Sequence, residues 1–450
     1  MLVAGLATTA VGQGAFFGAV QWRAALVIAG AVGLALAAYP FRRADLRGGL
    51  ILAGLSLAVW ALLRAAAAGT LAAGFTWALF GAGTVAIFVV CRRLDARSRE
   101  MVLSGMFAVA AVVAATGWLG VAFHHRPWAL PSAGLWRAAS TLTYANATAA
   151  FLVPLSLMAL SRLAASPRSV RLSLTATGLL CGAGATLSRA GAIAFAVGFV
   201  VVCLLQKTRT VVRAAAPPIV GAGVALGGLV PSVPVTARPE PALALAALGA
   251  GLAIAVLLQR FPRLAVTVLA AAGVVAVAVI VINGAAGGPS AMRSLATSRL
   301  SLASPARSGE TAAAIRLIEQ HPLVGVGPGR AILRWVGADG AVGVDGYDHD
   351  EYLQVLTDLG IIGAALLALF AAAVARELWH GRLNLAGRAT WAGAVAAIAA
   401  LAVHSGFDFL WHIPAIPLTA AALVGCAVPS ISRPEAGQPP ANERRKCDQT

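Results

Sequence analysis

Residues 299–363 read RLSLASPARSGETAAAIRLIEQHPLVGVGPGRAILRWVGADGAVGVDGYDHDEYLQVLTDLGIIG, and the contrast between this stretch and its flanks decides the fold. Before it runs LAVTVLAAAGVVAVAVIVIN (264–283), and after it AALLALFAAAVA (364–375). The flanks are long enough and apolar enough to lie in hydrocarbon, whereas the stretch between them holds arginines, carboxylates and the cluster Tyr347-Asp348-His349-Asp350-Glu351-Tyr352. It is therefore the segment in which an extramembranous site must be sought.

The same contrast holds for the whole chain. Of its 450 residues 59% are hydrophobic and 11% charged, with a mean hydropathy of +0.84. Soluble domains carry about 25% charged residues, which excludes an ordinary globular protein. Apolar runs fall at approximately 1–20, 22–40, 48–66, 71–91, 101–122, 141–162, 172–187, 190–206, 214–231, 242–258, 264–283, 358–378, 389–403 and 414–429. Each is about long enough for a hydrocarbon core of about 30 Å, and their length and Ala/Leu content favour helix over strand. The expected fold is all-α: a polytopic integral membrane protein of about 12–14 transmembrane helices with one long extracytoplasmic loop. Its expected parts are N-terminal helices (1–283), the loop (284–357), C-terminal helices (358–429) and a polar cytoplasmic tail (430–450). The apolar start, without a basic n-region or cleavage site, predicts no removable signal peptide. The five cysteines show no paired spacing and read as small hydrophobes.

The net charge of +17 does not indicate nucleic acid, because the basic residues sit in short clusters between apolar runs. Placing every second connection on one side collects 22 of the 34 basic residues there, including Arg42-Arg43-Arg47, Arg92-Arg93-Arg97-Arg99 and Lys207-Arg209-Arg213. The positive-inside rule makes that side cytoplasmic. The other twelve, among them Arg64, Arg137, Arg189, Arg299, Arg307 and Arg316, are all arginine and fall near the opposite face. Charge placed against the topological bias calls for a use there. A guanidinium fork suits phosphate oxygens, although Arg23, Arg64 and Arg238 also fit simple snorkelling at helix ends.

Within the loop, Ser308 is expected to cap a helix with Glu310 in its first turn, running to about Gln320. Gly325-Val326-Gly327-Pro328-Gly329 follows, either a plain turn or a run whose N–H groups approach an anion. His349 is expected at a helix N-terminus, whose positive end would lower its pKa and keep it neutral as a general base requires. A solvated loop histidine and a metal ligand are the other readings, and the ligand spacing around His349 matches no metal motif. Three further patches fall on the outer side. These are His124-His125-Arg126-Pro127-Trp128 continuing to Arg137 and Asn146, the pair Ser188-Arg189, and His404-Ser405-Gly406-Phe407-Asp408, where His404 and Asp408 are spaced to pair across one helical turn.

Together these segments resemble the O-antigen ligase and polymerase family. The match rests on EQHPLVGVGPG (319–329), HDEYLQ (349–354) and DLGIIG (358–363), with TLSRAG (186–191) and HSGFDF (404–409) similar to stretches that recur in that family. Two positions depart from it: Asp350 stands where the family commonly has Asn, and Thr311 where it often has Trp. The resemblance implies glycosyl transfer at the outer face of the bacterial cytoplasmic membrane. The donor would be a saccharide on undecaprenyl diphosphate, and the acceptor a hydroxyl of a lipid, glycan or protein. His349 would be the base. Arg137, Arg189 and Arg307, with Arg299 and Arg316 as weaker candidates, would hold the diphosphate. Asn146, Glu351, Gln354, His404 and Asp408 would position sugar or acceptor, and no metal or other cofactor is expected. A transporter or flippase of lipid-linked saccharide or small solute is the rival reading, and a catalytically silent scaffold the third. The nearly charge-free apolar runs argue against the transporter.

Overall fold

The computed structural model describes residues 2–38, 48–273, 305–337, 340–383 and 387–428. In chain order its helices are α1 (Leu2–Val11), α2 (Gly18–Ala38), α3 (Gly49–Ala68), α4 (Leu71–Arg93), α5 (Ala96–Phe123), α6 (Ala145–Ala165), α7 (Val170–Ala185), α8 (Arg189–Leu205), α9 (Thr208–Leu229), α10 (Pro241–Leu258), α11 (Pro262–Gly273), α12 (Pro305–Gln320), α13 (Glu351–Gly381), α14 (Arg388–Ser405) and α15 (Ala415–Ala427). Among the described residues seven helices, α3, α4, α5, α6, α9, α10 and α13, are long and apolar enough to cross a membrane. The chain is an all-helical, polytopic membrane protein whose only sheets, among the described residues, are two small hairpins. These are β1 (Ala129–Ser132) with β2 (Leu135–Ala138), and β3 (Leu333–Val336) with β4 (Val342–Asp345), both antiparallel. Arg299, the basic cluster Arg42-Arg43-Arg47 and the tail 430–450 lie outside the described residues.

At the centre stands α6, buried along almost its whole length. It is built of alanine, leucine and small hydroxyl residues, and α14, α7 and α8 pack round it. Small residues let backbones approach where no water-driven force pulls helices together, so close packing carries the association. Its serines and threonine turn their hydroxyls onto nearby carbonyls, as Ser156 does to Leu152 (2.8 Å) and Ser161 to Ala389 (2.6 Å).

The loops fall into two sets joined by separate hydrogen bonds. At one end Arg162 pairs with Glu100 (2.8 Å), Arg92 with Glu377 (2.9 Å), Gln206 donates to Ser161 Oγ (2.6 Å) and Arg388 to Leu205 O (3.2 Å). This end collects the basic clusters. At the other end Thr141 reaches Ala10 O (2.8 Å), His124 meets Ser232 O (2.7 Å), Arg137 reaches Thr186 O (2.9 Å) and Arg330 reaches Ala68 O (2.6 Å). The alternation read from charge thus has a physical counterpart in the bundle.

Several expected runs are redrawn. The run 1–20 is not one span: α1 has 10 residues, and the chain turns at 12–17, where Gln13, Gly14 and Ala15 all take positive φ. The runs 172–187 and 190–206 form helices of 16 and 17 residues, short of the roughly 20 a full crossing needs. Helix α12 begins at Pro305, three residues before Ser308, because proline suits a first helical turn whose N–H groups have no partner anyway. The largest change is in α13, which starts at Glu351 rather than near Asp358 and is broken at Gly360 (φ +66°, ψ −169°).

Candidate active site

The break at Gly360 is where the loop enters the bundle. Interrupting a helix frees N–H and C=O groups that must find partners. Here residues 322–327 supply them: Ile361 N–H donates to Pro322 O (2.9 Å) and Ile362 N–H to Leu323 O (3.3 Å). In return Val326 N–H donates to Thr357 O (2.8 Å) and Gly327 N–H to Asp358 O (3.0 Å). A Cβ on Gly360 would lie 2.4 Å from the Leu323 carbonyl, and the positive φ separately disfavours any side chain. From α3, Arg64 clamps the inserted strand by donating to Val324 O (2.8 Å) and Gly325 O (3.0 Å), while Trp60 donates to Leu359 O (3.1 Å). Arg64 is therefore a strut and not merely a snorkelling cation. The N–H groups of Val326 and Gly327 are taken, which removes them as an anion-binding nest.

This docking sets the start of α13 and the residues before it. Asp350 is the N-cap, its carboxylate accepting from Tyr352 N–H (2.9 Å) and Leu353 N–H (3.3 Å). His349 immediately precedes the cap, as expected. Its Nδ1 meets Glu310 Oε2 on α12 at 2.9 Å, with Glu310 buried. Its ring edge stands on Phe409, with centroids 5.4 Å apart. Nε2 has no hydrogen-bond partner among the described residues. The carboxylate on Nδ1 fixes the ring's orientation and leaves Nε2 as the working nitrogen.

The expected effect of the helix terminus on His349 is overturned. Burial pulls its pKa down, but the Glu310 hydrogen bond and the charges of Asp408 and Glu310 outweigh that, and it ends above the usual histidine value. The local carboxylates are closer and stronger than a helix end. Next to it, burial and the carboxylates of Asp350 and Glu310 push Asp348 up to about 7. Asp348 Oδ2 is buried with no partner among the described residues.

Three of the other sequence candidates meet at one point. Arg137, on β2, donates to Asn146 Oδ1 (2.7 Å), and Asn146 Nδ2 donates to Asp408 Oδ2 (2.6 Å). Tyr144 donates its hydroxyl to the same oxygen (2.6 Å) and stacks on Phe409, whose other contacts include Tyr347 (4.9 Å). Asp408 does not pair with His404, because α14 ends at Ser405 and the chain turns before Asp408. His404 is 1% exposed, and neither ring nitrogen has a partner among the described residues. Arg307, half-buried on α12, acts electrostatically on both His349 and Tyr144 yet makes no hydrogen bond or ion pair among the described residues. Arg189 is likewise without one, at the start of α8 behind its Ser188 cap. Arg316 is exposed and donates to Arg334 O (3.2 Å) on the β3–β4 hairpin, which does not draw it to His349.

Glu351 and Gln354 are internal supports and not open to a substrate. Gln354 Oε1 accepts from Asp348 N–H (2.7 Å). Glu351, fully buried, accepts from Trp411 N–H (2.8 Å) and forms an ion pair with His412 Nδ1 (2.9 Å), while His412 Nε2 lies 3.8 Å from Asp358 Oδ2. Burial acts to lower the His412 pKa, but the Glu351 and Asp358 carboxylates outweigh it and raise it to about 9, so the ring carries a proton at neutral pH. Sequence reasoning missed Glu310, Tyr144, Phe409 and His412. Glu310 had one available signal, since it is one of only 17 acidic residues in the chain and lies three positions from Arg307. One metal-capable set also stands here: ligand atoms of Glu310, Asp345 and His349 lie within 4.8 Å of one another. Asp345, not Asp348 or Glu351, completes that set.

Residues 241–368 match the family model described as O-antigen ligase. No curated protein matches the chain. The matched segment contains α12, the docked loop, His349 and the break in α13, while Arg137, Tyr144, Asn146, Asp408 and Phe409 lie outside it.

Proposed function

We propose, from the match of residues 241–368 to the O-antigen ligase model, that this membrane protein transfers a saccharide from undecaprenyl diphosphate to a hydroxyl acceptor on the extracytoplasmic face of the bacterial cytoplasmic membrane. The observation that carries the reading is His349, oriented through Nδ1 by Glu310 with Nε2 unoccupied, beside an Arg307 guanidinium unpaired among the described residues. The acceptor O–H gives its proton to His349 Nε2, and its oxygen bonds to the anomeric carbon. The bond from that carbon to the phosphate oxygen breaks, and the electron pair leaves with the diphosphate. The Glu310 carboxylate stabilises the imidazolium as it forms. Arg307 and Arg189, with Arg137 through its tie to Asn146, supply positive charge for the departing diphosphate. Arg299 is proposed for the same task from sequence alone. With Glu310 engaged on Nδ1, the reading needs no metal. The basic clusters at the opposite end of the bundle support an extracytoplasmic site.

The rival transporter reading draws on one observation, the broken helix with Glu351, Asp358 and His412 buried beside it. That break is filled by the protein's own loop through four hydrogen bonds, so it does not line an open path. The deciding experiment compares glycans from cells with wild-type protein and His349→Ala at equal membrane abundance, sizing lipid-linked and surface-attached pools separately. Long chains stranded on the lipid carrier mean ligase, and accumulated single repeat units mean polymerase. Pools that match wild type remove His349 as the base.

A further inference from the structure

The reaction uses Nε2 of His349, while Nδ1 faces a set of ligand atoms larger than the reaction needs. Nδ1 lies 2.9 Å from Glu310 Oε2, and an Asp345 carboxylate oxygen joins them, all three atoms lying within 4.8 Å of one another. The three side chains come from α12, β4 and the residue that precedes the α13 cap. Asp345 Oδ1 accepts from Gly346 N–H (2.7 Å) and Tyr347 N–H (3.1 Å), which holds the carboxylate in place, and Oδ2 has no hydrogen bond among the described residues. Glu310 is buried and the other two are half-buried, so an ion held here would shed part of its water and keep one open side.

Asp348 is a separate sign that positive charge is called for at this point. It is 2% exposed, its Oδ2 has no partner among the described residues, and it acts electrostatically on both Glu310 and His349. A buried carboxylate oxygen with no partner is costly unless a cation comes close. With Asp350 and Asp408, five carboxylates surround this imidazole against the single guanidinium of Arg307. The donor set then selects the ion. One imidazole nitrogen with two carboxylates suits Zn²⁺, Co²⁺ or Ni²⁺, whereas Mg²⁺ takes an octahedron of oxygens and keeps its waters. Bonds of about 2.0–2.2 Å to a tetrahedral ion place ligand atoms roughly 3.4 Å apart, so modest side-chain rotations close the set.

We propose that Glu310, Asp345 and His349 form an inhibitory site for a zinc-class divalent cation, which stops transfer by taking the wrong nitrogen of the base. A neutral imidazole has one N–H and one lone pair. Glu310 now accepts Nδ1–H, which leaves the lone pair on Nε2 for the acceptor's proton. A cation on Nδ1 takes the lone pair there, and the ring proton moves to Nε2 without leaving the ring. Nε2 is then a donor and cannot deprotonate the acceptor. The inhibition rests on the proposed function, whereas binding of the ion does not.

The test uses the purified full chain in nanodiscs, with Zn²⁺ as the inhibitor and Co²⁺ as its coloured substitute. Without donor present, wild type should bind Zn²⁺ in calorimetry, and Zn²⁺ should bleach the visible d–d bands of the Co²⁺ form. X-ray absorption of zinc-loaded wild type should show one imidazole nitrogen among oxygen ligands and no sulfur. Micromolar Zn²⁺ should abolish transfer and EDTA restore it, while Mg²⁺ at the same concentration should have no effect. Asp345→Asn keeps the oxygen that accepts from Gly346 and Tyr347 and leaves His349 and Glu310 as they are. It should transfer at the wild-type rate without metal and need about tenfold or more Zn²⁺ for the same inhibition. Should that variant fail to fold, the wild-type X-ray spectrum decides. No Zn²⁺ binding, a sulfur-ligated ion, or equal inhibition of wild type and Asp345→Asn, as chelation of the donor's diphosphate would give, would overturn the inference and leave the proposed reaction standing. Zinc bound with transfer intact would overturn the inhibition. A wild type that transfers nothing even without metal would remove the proposed function and the inhibition with it, while calorimetry would still report the ion.

Discussion

Replacing Glu310 by glutamine isolates what the carboxylate contributes to His349. The amide oxygen can still accept from Nδ1–H at the position where Glu310 Oε2 now sits, 2.9 Å away, so the orientation of the ring is kept and the charge is lost. A hydrogen bond to a charged group contributes about 1.5–3 kcal/mol and a neutral one about 0.5–1.5. Stabilisation of the imidazolium formed in the transfer step should therefore fall by about 1–2 kcal/mol, which slows that step about 5- to 30-fold. The pH dependence has a defined sign. Glu310 helps hold the His349 pKa above its usual value, and the base works only when deprotonated. Glu310→Gln should therefore move the acid limb of the rate profile to lower pH while reducing the plateau. Single-turnover transfer from a lipid-linked donor, followed from about pH 5 to about pH 9 in reconstituted membranes, measures both. A variant with an unchanged plateau and an unchanged acid limb would refute the reasoning, because the 2.9 Å contact would then have no bearing on the reacting nitrogen.

Other expectations are independent of that one. Gly360→Ala combines a positive φ with a 2.4 Å clash against the Leu323 backbone, so it should cost about 1–3 kcal/mol, seen as a lower Tm in detergent. An unchanged Tm would mean that the loop does not dock at the break. Arg307→Ala should raise KM for the donor severalfold with Arg307→Lys only partly restoring it, whereas Arg316→Ala should leave KM within error. Equal effects at the two positions would remove Arg307 from the site. Chelation with EDTA should leave transfer intact, and activity lost to EDTA and restored by a divalent cation would assign Glu310, Asp345 and His349 to a metal instead.

The membrane fold was legible in the sequence because hydrocarbon imposes a run length and a composition that survive without any tertiary knowledge. His349 was legible for a related reason, since an imidazole crowded among carboxylates at the edge of an apolar helix must face water or a ligand. What was not legible depended on pairing across the chain. His349 and Glu310 are 39 residues apart, and Tyr144 and Asp408 are separated by 264, so no local period could join them. The role of Arg64 was hidden in the same way, because a lone arginine near a helix end looks alike whether it snorkels or clamps a loop from 260 positions away. The pKa of His349 was misjudged since a helix terminus is visible in sequence and a buried carboxylate contact is not. The glycine run 325–329 left a plain turn and an anion nest both open because its partners, the carbonyls freed at Gly360, lie on another element.

The Asp408 junction has a consequence for biosynthesis. Asp408 gathers Tyr144 and Asn146, Phe409 carries the ring of His349, and the Trp411 N–H ties the same turn to Glu351. Membrane chains are inserted from the N-terminus, so every earlier helix is in place before this turn arrives. The bundle can therefore be almost complete while His349 still lacks the surface it rests on. Catalytic competence comes with the last helical pair, and a chain halted before Gly387 should be embedded and inert. Supplying residues 387–428 as a separate polypeptide should restore transfer to it, and persistent inactivity of the reunited halves would count against this order of assembly.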